Sequence, residues 1–276
     1  MAWPIPEKPA FGDIVGVGGS CFVSFVDETT VHKSHQIWVR GRQQSRRTRP
    51  AEEELAREAA VLRHLGPHPC IVAFGGVDEI APGVHALRLE RAPLGSLRAY
   101  IQTHADAPFP ENMRLRMSMD VAHGLAHAHA RGVRHCDISC RNLLLFHGVG
   151  DGDPHVKICD WAGSIIEGHA LYSTCGTYEE MQYELPCRGR ALGQTPVLAR
   201  EIFALGSAIY EIMAWARPLQ GLSDDEVEQR YAREEFACLD DLAVAEIVDN
   251  CWHERYGSVQ AVVQAMSTYV PEYAYA

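Results

Sequence analysis

Residues 134–146 read RHCDISCRNLLLF, a short polar run that leads directly into four apolar residues. The polar run holds His135, Asp137 and Asn142, and the apolar residues after it predict a buried strand. Asp137 and Asn142 therefore bracket a loop that ends where a strand begins. Catalytic side chains concentrate on loops that regular elements hold in place, so we expect chemistry here.

A second acidic residue follows another predicted strand a few positions later. Asp160 comes directly after the strand-like VKIC in the stretch VKICDWAGS. Two carboxylates and one amide oxygen could together hold Mg²⁺ and orient a hydroxyl group, as phosphoryl transfer from a nucleotide requires. Each of these residues alone is more often structural, so the hypothesis depends on what else the chain carries.

The beginning of the chain alternates glycine turns with short β-prone pieces. Residues 11–39 predict three antiparallel strands, and Gly16, Gly18 and Gly19 fall in the first turn. Because glycine has no side chain, backbone amides there can approach phosphate oxygens, although a glycine-rich hairpin is more often only a hairpin. A dinucleotide fingerprint would lead into a helix, and a P-loop would need Gly-Lys-Ser/Thr before a helix; neither follows.

A lysine and a glutamate in this first part could act as a pair. Lys33 ends the third predicted strand, and apolar residues at helical spacing predict a helix over residues 51–65 that carries Glu58. A lysine paired with a helical carboxylate can be held pointing at nucleotide phosphates. Glu54 is the alternative partner, and an exposed lysine with no such role is the plainer alternative. The stretches IVAFGGV and VHALRLE predict two further strands, which makes a five-stranded sheet within residues 11–90.

Helices dominate the rest of the chain. Residues 111–131 show one apolar face, and residues 200–216 are apolar on nearly every side, which is typical of a helix at the centre of a large lobe. The predicted fold class is α+β, with a small β-rich lobe at residues 11–91 and a mainly helical lobe at residues 92–270. We assign the whole chain, residues 1–276, to one domain, and expect the ligand in a cleft between the lobes.

Charge and cysteine content limit the possible functions. The 276 residues include 36 acidic and 25 basic ones, a formal net charge of −11, which argues against a nucleic-acid or anionic-membrane binder. The arginine-rich stretch from Arg40 to Arg49 predicts an exposed loop, with docking of an acidic partner as the alternative. Nine cysteines without a CxxC pair predict reduced thiols, so we expect a cytoplasmic protein, with the nucleus as the alternative. The chain has neither a signal-peptide pattern at its start nor an apolar run approaching 18 residues.

Taken in order, these motifs resemble the eukaryotic protein kinase family across residues 11–270. The glycine loop is VGVGGSCFV, the strand lysine lies in TVHK, the catalytic loop is HCDISCRN, and DWA stands where the family usually has Asp-Phe-Gly. LERAPLGSL is similar to the hinge, and GTYEEMQYELP to the peptide-docking end of the activation segment. The compact first lobe and CDIS resemble small divergent kinases of filamentous fungi.

The resemblance implies a role for each matching residue. Lys33 would contact the α- and β-phosphates of ATP and pair with Glu58, and Asp137 would orient the substrate hydroxyl and accept its proton. Asn142 and Asp160 would hold Mg²⁺. The residues implied in ATP binding are Val15, Gly16, Gly18, Val23, Val31, Lys33, Leu89, Glu90 and Ala92. Among them, Leu89 would guard the back of the adenine pocket, Val23 and Val31 would cover the adenine, and Glu90 to Ala92 would offer backbone hydrogen bonds.

Two departures from the family pattern carry predictions. Cys136 stands where the family has the arginine that pairs with a phosphate on the activation segment, and a thiol cannot make that bidentate contact. We therefore predict activity that does not depend on phosphorylation of this segment. Cys187 stands where the family usually has the glutamate of Ala-Pro-Glu, which predicts that an ion pair of the family is lost there.

The resulting hypothesis is a protein kinase that uses ATP and Mg²⁺ and acts on a protein hydroxyl, with no nucleic-acid or membrane partner and an oligomeric state left open. Serine/threonine specificity is preferred over tyrosine, although Ser139 and Arg141 resemble the loop of tyrosine-directed members. Two alternatives remain: a pseudokinase scaffold, motivated by Cys21 and Ala162 in place of glycines, and a small-molecule phosphotransferase.

Overall fold

The computed structural model describes residues 14–17, 21–39, 42–45, 49–148, 152–191 and 193–273. Their contacts divide the chain into two compact units. The N-terminal unit comprises the described residues of Met1–Pro67 and Val72–Arg91, and the C-terminal unit those of His68–Ile71 and Ala92–Ala276. The assignment of the whole chain to a single domain stays a prediction.

The N-terminal unit contains the predicted five-stranded antiparallel sheet. Its strands are β1 (Ile14–Val17), β2 (Phe22–Phe25), β3 (Thr30–Ser34), β6 (Phe74–Ala81) and β7 (Val84–Glu90), in the order β1-β2-β3-β7-β6. Val31 and Leu89 are cross-strand neighbours on the two central strands, and both are buried. Cross-strand pairs of this kind are what stabilise a sheet, which explains why the β-prone pieces of the sequence assemble here.

One helix packs against this sheet. The helix, α1, runs over Arg49–Leu65 and so begins two residues before the predicted 51–65. Leu55, Ala59 and Leu62 are buried at the predicted helical spacing. The helix contacts β6 and β7, so its apolar stripe is covered by the sheet.

The prediction of a loop in the arginine-rich stretch was wrong in part. Strands β4 (Gln36–Val39) and β5 (Arg42–Ser45) form an antiparallel hairpin, with Gln36 opposite Ser45. The backbone hydrogen bonds of an antiparallel ladder form between main-chain groups and tolerate polar side chains, so the polar composition of RQQS did not exclude a strand. Residues 40–41 and 46–48 lie outside the described part of the chain.

The C-terminal unit is mainly helical, as predicted. Its helices are α2 (Leu97–Thr103), α3 (Glu111–Ala130), α4 (Val197–Ala214), α5 (Asp224–Tyr231), α6 (Ala245–Trp252) and α7 (Val259–Met266). Its short strands pair as β8 (Val133–Arg134) with β11 (Ile165–Ile166), and β9 (Leu143–Phe146) with β10 (His155–Ile158). The apolar residues that follow the predicted catalytic loop therefore do form a strand.

Helix α4 is the centre of this unit. It begins three residues before the predicted 200–216, ends at Ala214, and is buried along nearly its whole length. Helix α3 packs against α4, α7 and β10. Helix α5 begins with a capping box, in which Ser223 accepts from the Glu226 N–H while the Glu226 carboxylate accepts from the Ser223 N–H.

Two further observations bear on the sequence predictions. The described residues include all nine cysteines, and no disulfide joins any of them. Among the described residues, none of the helices combines the length and the apolar character needed to cross a membrane.

Candidate active site

The N-terminal unit brings the predicted lysine and glutamate together. The Nζ of Lys33 lies 2.6 Å from Oε2 of Glu58, and their side chains are only 12% and 1% exposed. Lys33 is held on β3 between Val23 of β2 and Leu87 of β7, and Glu58 lies on the sheet-facing side of α1. A carboxylate this deeply buried needs a charged partner, so Glu58 rather than Glu54 fixes the lysine.

The residues expected to cover a nucleotide base lie around this ion pair. Val23 is the cross-strand neighbour of both Lys33 and Gly16, and Val31 is the neighbour of Leu89. Val15 is 51% exposed on β1. A β-carbon added to Gly16 would lie 3.5 Å from the Val23 β-carbon, an ordinary contact, so the packing would accept a side chain there. Gly18 lies outside the described residues.

The backbone of the predicted hinge is partly engaged by the sheet. The N–H of Glu90 donates to the carbonyl of Ala73 at 3.0 Å, and that of Arg91 donates to the carbonyl of Thr29 at 2.7 Å. The Glu90 carboxylate accepts from the Ala73 N–H at 2.5 Å. Of the N–H groups of residues 90–92, only that of Ala92 therefore stays a candidate for a base, together with the carbonyl of Glu90.

In the C-terminal unit, the loop at Asp137 is closed by its own asparagine. The Nδ2 of Asn142 donates to the carbonyl of Asp137 at 2.8 Å, which leaves the amide oxygen as the atom able to bind a cation. Arg141 donates to both carboxylate oxygens of Asp137, at 3.0 and 3.1 Å. Burial raises the pKa of Asp137, and the charges of Arg141 and His135 oppose that shift.

Backbone contacts place Asp160 beside this loop. The N–H of Cys159 donates to the carbonyl of Asn142 at 2.9 Å, and the His135 ring is 2.9 Å from the carbonyl of Cys159. The negative charge of Asp160 also contributes to the raised pKa of Asp137. Asp160 itself has φ 64° and ψ 64°, and Trp161 after it packs edgewise on His135 with 4.6 Å between ring centroids. Asp137, Asn142 and Asp160 thus form one cluster.

The sequence analysis missed one residue that holds this cluster, Glu201 on α4. Its Oε1 accepts from the N–H of His135 and, at 2.9 Å, from that of Cys136, while its Oε2 lies 2.5 Å from Nε2 of His129. Burial raises the pKa of Glu201, but the hydrogen bond and charge of His129 outweigh it and the pKa falls. The available signal was an acidic residue in a mostly apolar helix, although Arg200 and Glu211 of α4 are charged as well.

The segment around Cys187 carries ion pairs of its own. Arg188 Nη1 lies 2.6 Å from Glu254 Oε1, and Arg190 Nη1 lies 2.8 Å from Glu254 Oε2. Here the arginines follow the activation segment and the carboxylate comes from the end of the chain. The segment therefore has ion pairs of its own, made by residues to which the sequence pattern gave no role.

A small antiparallel sheet with a buried lysine–glutamate pair, and a helical unit with an Asp-Asn loop beside a strand-end aspartate, define the two-lobed α+β protein kinase fold as the class of this protein. The chain belongs to the protein tyrosine and serine/threonine kinase family, whose sequence model matches residues 15–260. The predicted fold class and the predicted family are therefore confirmed.

Individual relatives agree with this family. Mitogen-activated protein kinase kinase kinase 20 of Arabidopsis thaliana is 33% identical over 171 residues, which are 58% of this chain and 46% of that protein. Serine/threonine/tyrosine-protein kinase HT1 of the same plant is 24% identical over 234 residues, 80% of this chain and 57% of that protein. Serine/threonine-protein kinase PknB of Mycobacterium leprae is 25% identical over 240 residues, 84% of this chain and 36% of that protein. The chain spans about half the length of the first two relatives. The resemblance to fungal kinases stays a prediction.

Proposed function

We propose that this protein is a kinase that transfers the γ-phosphate of ATP to a serine or threonine hydroxyl of a protein substrate. The observation that carries the proposal is the cluster of Asp137, Asn142 and Asp160, which offers two carboxylates and one amide oxygen in one place. The buried pair of Lys33 and Glu58 supports it, because a lysine fixed by a carboxylate is a phosphate ligand in this type of phosphoryl transfer.

Each residue has a defined task in this proposal. Asp137 accepts the proton of the substrate hydroxyl, and Arg141 holds its carboxylate in one orientation through two hydrogen bonds. Lys33 contacts the α- and β-phosphates of ATP. Asn142 and Asp160 hold Mg²⁺ together with nucleotide oxygens.

The donor set fits that cation. Asn142 and Asp160 offer an amide oxygen and a carboxylate, and Mg²⁺ is usually bound through one or two such protein oxygens plus substrate phosphates. Among the described residues, no group of three or more histidine, cysteine or acidic residues could hold a metal ion on its own. When bound, Mg²⁺ neutralises charge that develops on the transferred phosphoryl group.

The base of ATP is assigned to the N-terminal sheet and the hinge. Val15, Gly16, Val23 and Val31 would cover the adenine, together with Gly18 from outside the described residues. Leu89 would close its far side, and the carbonyl of Glu90 and the N–H of Ala92 would bond its edge. Specific binding of a base needs a few such polar groups in an apolar surround.

A transfer assay tests the proposal. Radiolabelled ATP with Mg²⁺ and generic protein substrates should give labelled protein, and Asp137→Asn should lower the rate by a factor on the order of 100 or more. Asp241→Asn, which changes an exposed aspartate, is the matched control and should keep the full rate. Equal labelling by the wild type and Asp137→Asn would remove the catalytic claim and leave a pseudokinase scaffold. Labelled metabolite without labelled protein would indicate a small-molecule phosphotransferase.

Phosphoamino-acid analysis of the product tests the choice of hydroxyl. We expect phosphoserine and phosphothreonine, and two of the relatives named above are called serine/threonine kinases or serine/threonine/tyrosine kinases. The contact of Arg141 with Asp137 is the feature that points the other way, because this arginine resembles tyrosine-directed members. Phosphotyrosine as the main product would overturn the preference.

We also propose that activity is independent of activation-segment phosphorylation. Cys136 is fully buried and uncharged, so it cannot bind a phosphate as the family's arginine does. Phosphatase treatment, and the double substitution Ser173→Ala with Thr174→Ala, should therefore leave the initial rate within about twofold. A large gain in rate on phosphorylation of Ser173, Thr174 or Thr177 would contradict this proposal.

We retain the cytoplasm as the proposed compartment.

A further inference from the structure

We propose that Cys136 of the catalytic loop and Cys175 of the activation segment are a modification site, a thiol pair that a peroxide converts into a reversible disulfide. The modification follows from the position of the two thiols and does not depend on the proposed kinase activity. It gives a chemical role to the cysteine that replaces the family's arginine.

Backbone contacts bring the two chain segments together. Strand β8, which leads into the catalytic loop, pairs with β11, and the Ser164 hydroxyl donates to the carbonyl of His135 at 3.2 Å. The N–H of Gly176 donates to the carbonyl of Gly163 at 2.9 Å. Cys136 directly follows His135, and Cys175 directly precedes Gly176. Each cysteine is therefore next to a residue that contacts the segment of residues 163–164.

These backbone contacts bring the two thiols close enough that each one shifts the pKa of the other. Cys136 is fully buried, with its Sγ 3.7 Å from the carbonyl of Arg134, and its backbone is fixed by Glu201. Cys175 is only partly buried and lies in a segment that is mostly exposed from residue 167 to residue 178. A sulfur–sulfur bond is about 2 Å long, so the thiols must still approach, and the exposed segment is the side that can move.

The surroundings favour Cys175 as the reacting thiol. The hydrogen bond with the Cys136 thiol lowers the pKa of Cys175, burial opposes this, and the charge of Arg200 lowers the pKa further. Arg200 is held near by Glu179, with which it forms an ion pair. The thiolate is the reactive form of cysteine, and Cys175 combines thiolate character with partial exposure.

The chemistry balances with hydrogen peroxide as the oxidant. The Cys175 thiolate attacks one peroxide oxygen and breaks the O–O bond, which gives a sulfenic acid and hydroxide, and hydroxide takes up a proton to become water. The sulfur of Cys136 then attacks the sulfenic sulfur, loses its proton and expels the hydroxyl group as a second water. The two thiols lose two electrons and two protons, and the peroxide is reduced to two waters. A dithiol reductant reverses the bond by exchange.

The disulfide would close a loop from residue 136 to residue 175. That loop contains Asn142, Asp160 and the first half of the activation segment. Linking a buried residue to an exposed segment restricts the segment, so protease cleavage between residues 167 and 178 should slow after oxidation.

The test uses the full chain treated with hydrogen peroxide, alkylated at remaining thiols and examined by peptide mass mapping. The wild type should yield a peptide pair joined through Cys136 and Cys175, lighter by two hydrogen atoms and separated by dithiothreitol. Cys175→Ser and Cys136→Ser should lack it, while Cys238→Ser, which changes an exposed cysteine, should keep it. In Cys136→Ser, Cys175 should accumulate as a sulfenic acid that dimedone traps, several-fold more than in the wild type.

Two results would overturn the proposal. One is a Cys175 that links to another cysteine or proceeds to sulfinic acid in the wild type without a bond to Cys136. The other is a Cys136→Ser protein that traps no more sulfenic acid than the wild type. Because these measurements use mass alone, a protein that shows no kinase activity can still pass or fail them.

Discussion

The backbone at Cys136 is held in a conformation that a cysteine adopts at a cost. Its φ is +68°, in the left-handed region, which destabilises a residue other than glycine by roughly 1 to 2 kcal/mol. The carboxylate of Glu201 accepts hydrogen bonds from the N–H groups of both His135 and Cys136. These two bonds hold the backbone in this conformation. The geometry of the loop before Asp137 therefore depends on one buried side chain of α4.

Replacing Glu201 by glutamine should show this dependence. The carboxylate of Glu201 now binds two backbone N–H groups and His129, whereas glutamine has only one acceptor oxygen and no charge. We therefore expect Glu201→Gln to lower the free energy of unfolding by about 3 kcal/mol. We also expect a lower rate of phosphoryl transfer, because the backbone directly before Asp137 would lose the hydrogen bonds that hold it in place. Urea unfolding and initial rates measure the two effects. Glu246→Gln on α6, an exposed site, should change stability by less than about 0.5 kcal/mol.

Of the individual residues in the site, the sequence predicted those whose partner is another residue of the same motif pattern. The sequence predicts the pair of Lys33 and Glu58 because Lys33 ends a strand and Glu58 lies on the helix that follows. The structure shows these two side chains in an ion pair. Glu201 was missed because two of its partners are backbone N–H groups, which every residue carries, and its side-chain partner His129 lies 72 positions away in the sequence. The positive φ of Cys136 could not be predicted either, because a cysteine in the sequence does not indicate a left-handed backbone as a glycine can.

Among the elements, helix α3 depends on one close approach. A β-carbon added to Gly124 would lie 2.8 Å from the carbonyl oxygen of Cys70 and 2.9 Å from Cδ1 of Ile158. The helix can therefore pack against the segment at Cys70 and against β10 only with glycine at this position. Sequence reasoning predicted the helix from its apolar period but gave this glycine no role.

The substitution Gly124→Ala tests whether packing outweighs helix propensity. Alanine favours a helix interior by about 1 kcal/mol over glycine, whereas overpacking a tight contact costs about 1 to 3 kcal/mol. Because the nearest atom is a backbone oxygen that cannot rotate away, we expect a net loss of about 1 kcal/mol in the free energy of unfolding. Gly257→Ala, where the added carbon meets nothing within 4 Å, should be neutral or slightly stabilising. Equal effects of the two substitutions in thermal and urea unfolding would contradict the packing argument.

Element prediction succeeded where the hydrophobic period was strong and failed where it was absent. The helices α1, α3 and α4 were found to within three residues at each end, because buried residues recur at helical spacing. The hairpin of β4 and β5 was not found, because polar residues such as those of RQQS carry no alternating pattern. Its ladder arises from backbone pairing, to which composition gives no direct signal.

For the molecule as a whole, Asp120 links stability to pH. It lies buried on α3, where its carboxylate accepts from the N–H of Val156 at 2.9 Å and from the hydroxyl of Tyr273 at 2.5 Å. It thus joins a helix, a strand and the end of the described chain. Burial raises its pKa from 3.8 to about 6, although both hydrogen bonds and the charge of Arg116 oppose the shift.

The sign of the effect follows from proton linkage. Between pH 4 and pH 6 the folded protein holds a proton on Asp120 that the unfolded chain has released, so folding binds a proton and stability falls as the pH rises. A shift of about two pKa units corresponds to about 3 kcal/mol. The loss should be complete above about pH 6.5, where Asp120 is ionised in both states.

Asp120→Asn should remove this dependence, because asparagine stays uncharged and resembles the protonated acid. Urea unfolding of both proteins from pH 4 to pH 7.5 isolates the contribution of Asp120, since other carboxylates such as Glu179, whose pKa burial raises to about 7, titrate equally in both. The stability of the wild type relative to Asp120→Asn should fall by about 2 kcal/mol between pH 4 and pH 6.5 and then stay nearly constant. Asp241→Asn, at an exposed site, should follow the wild-type curve throughout. A constant difference between wild type and Asp120→Asn over the whole range would show that the buried carboxyl titrates at its ordinary pKa and that burial does not govern it.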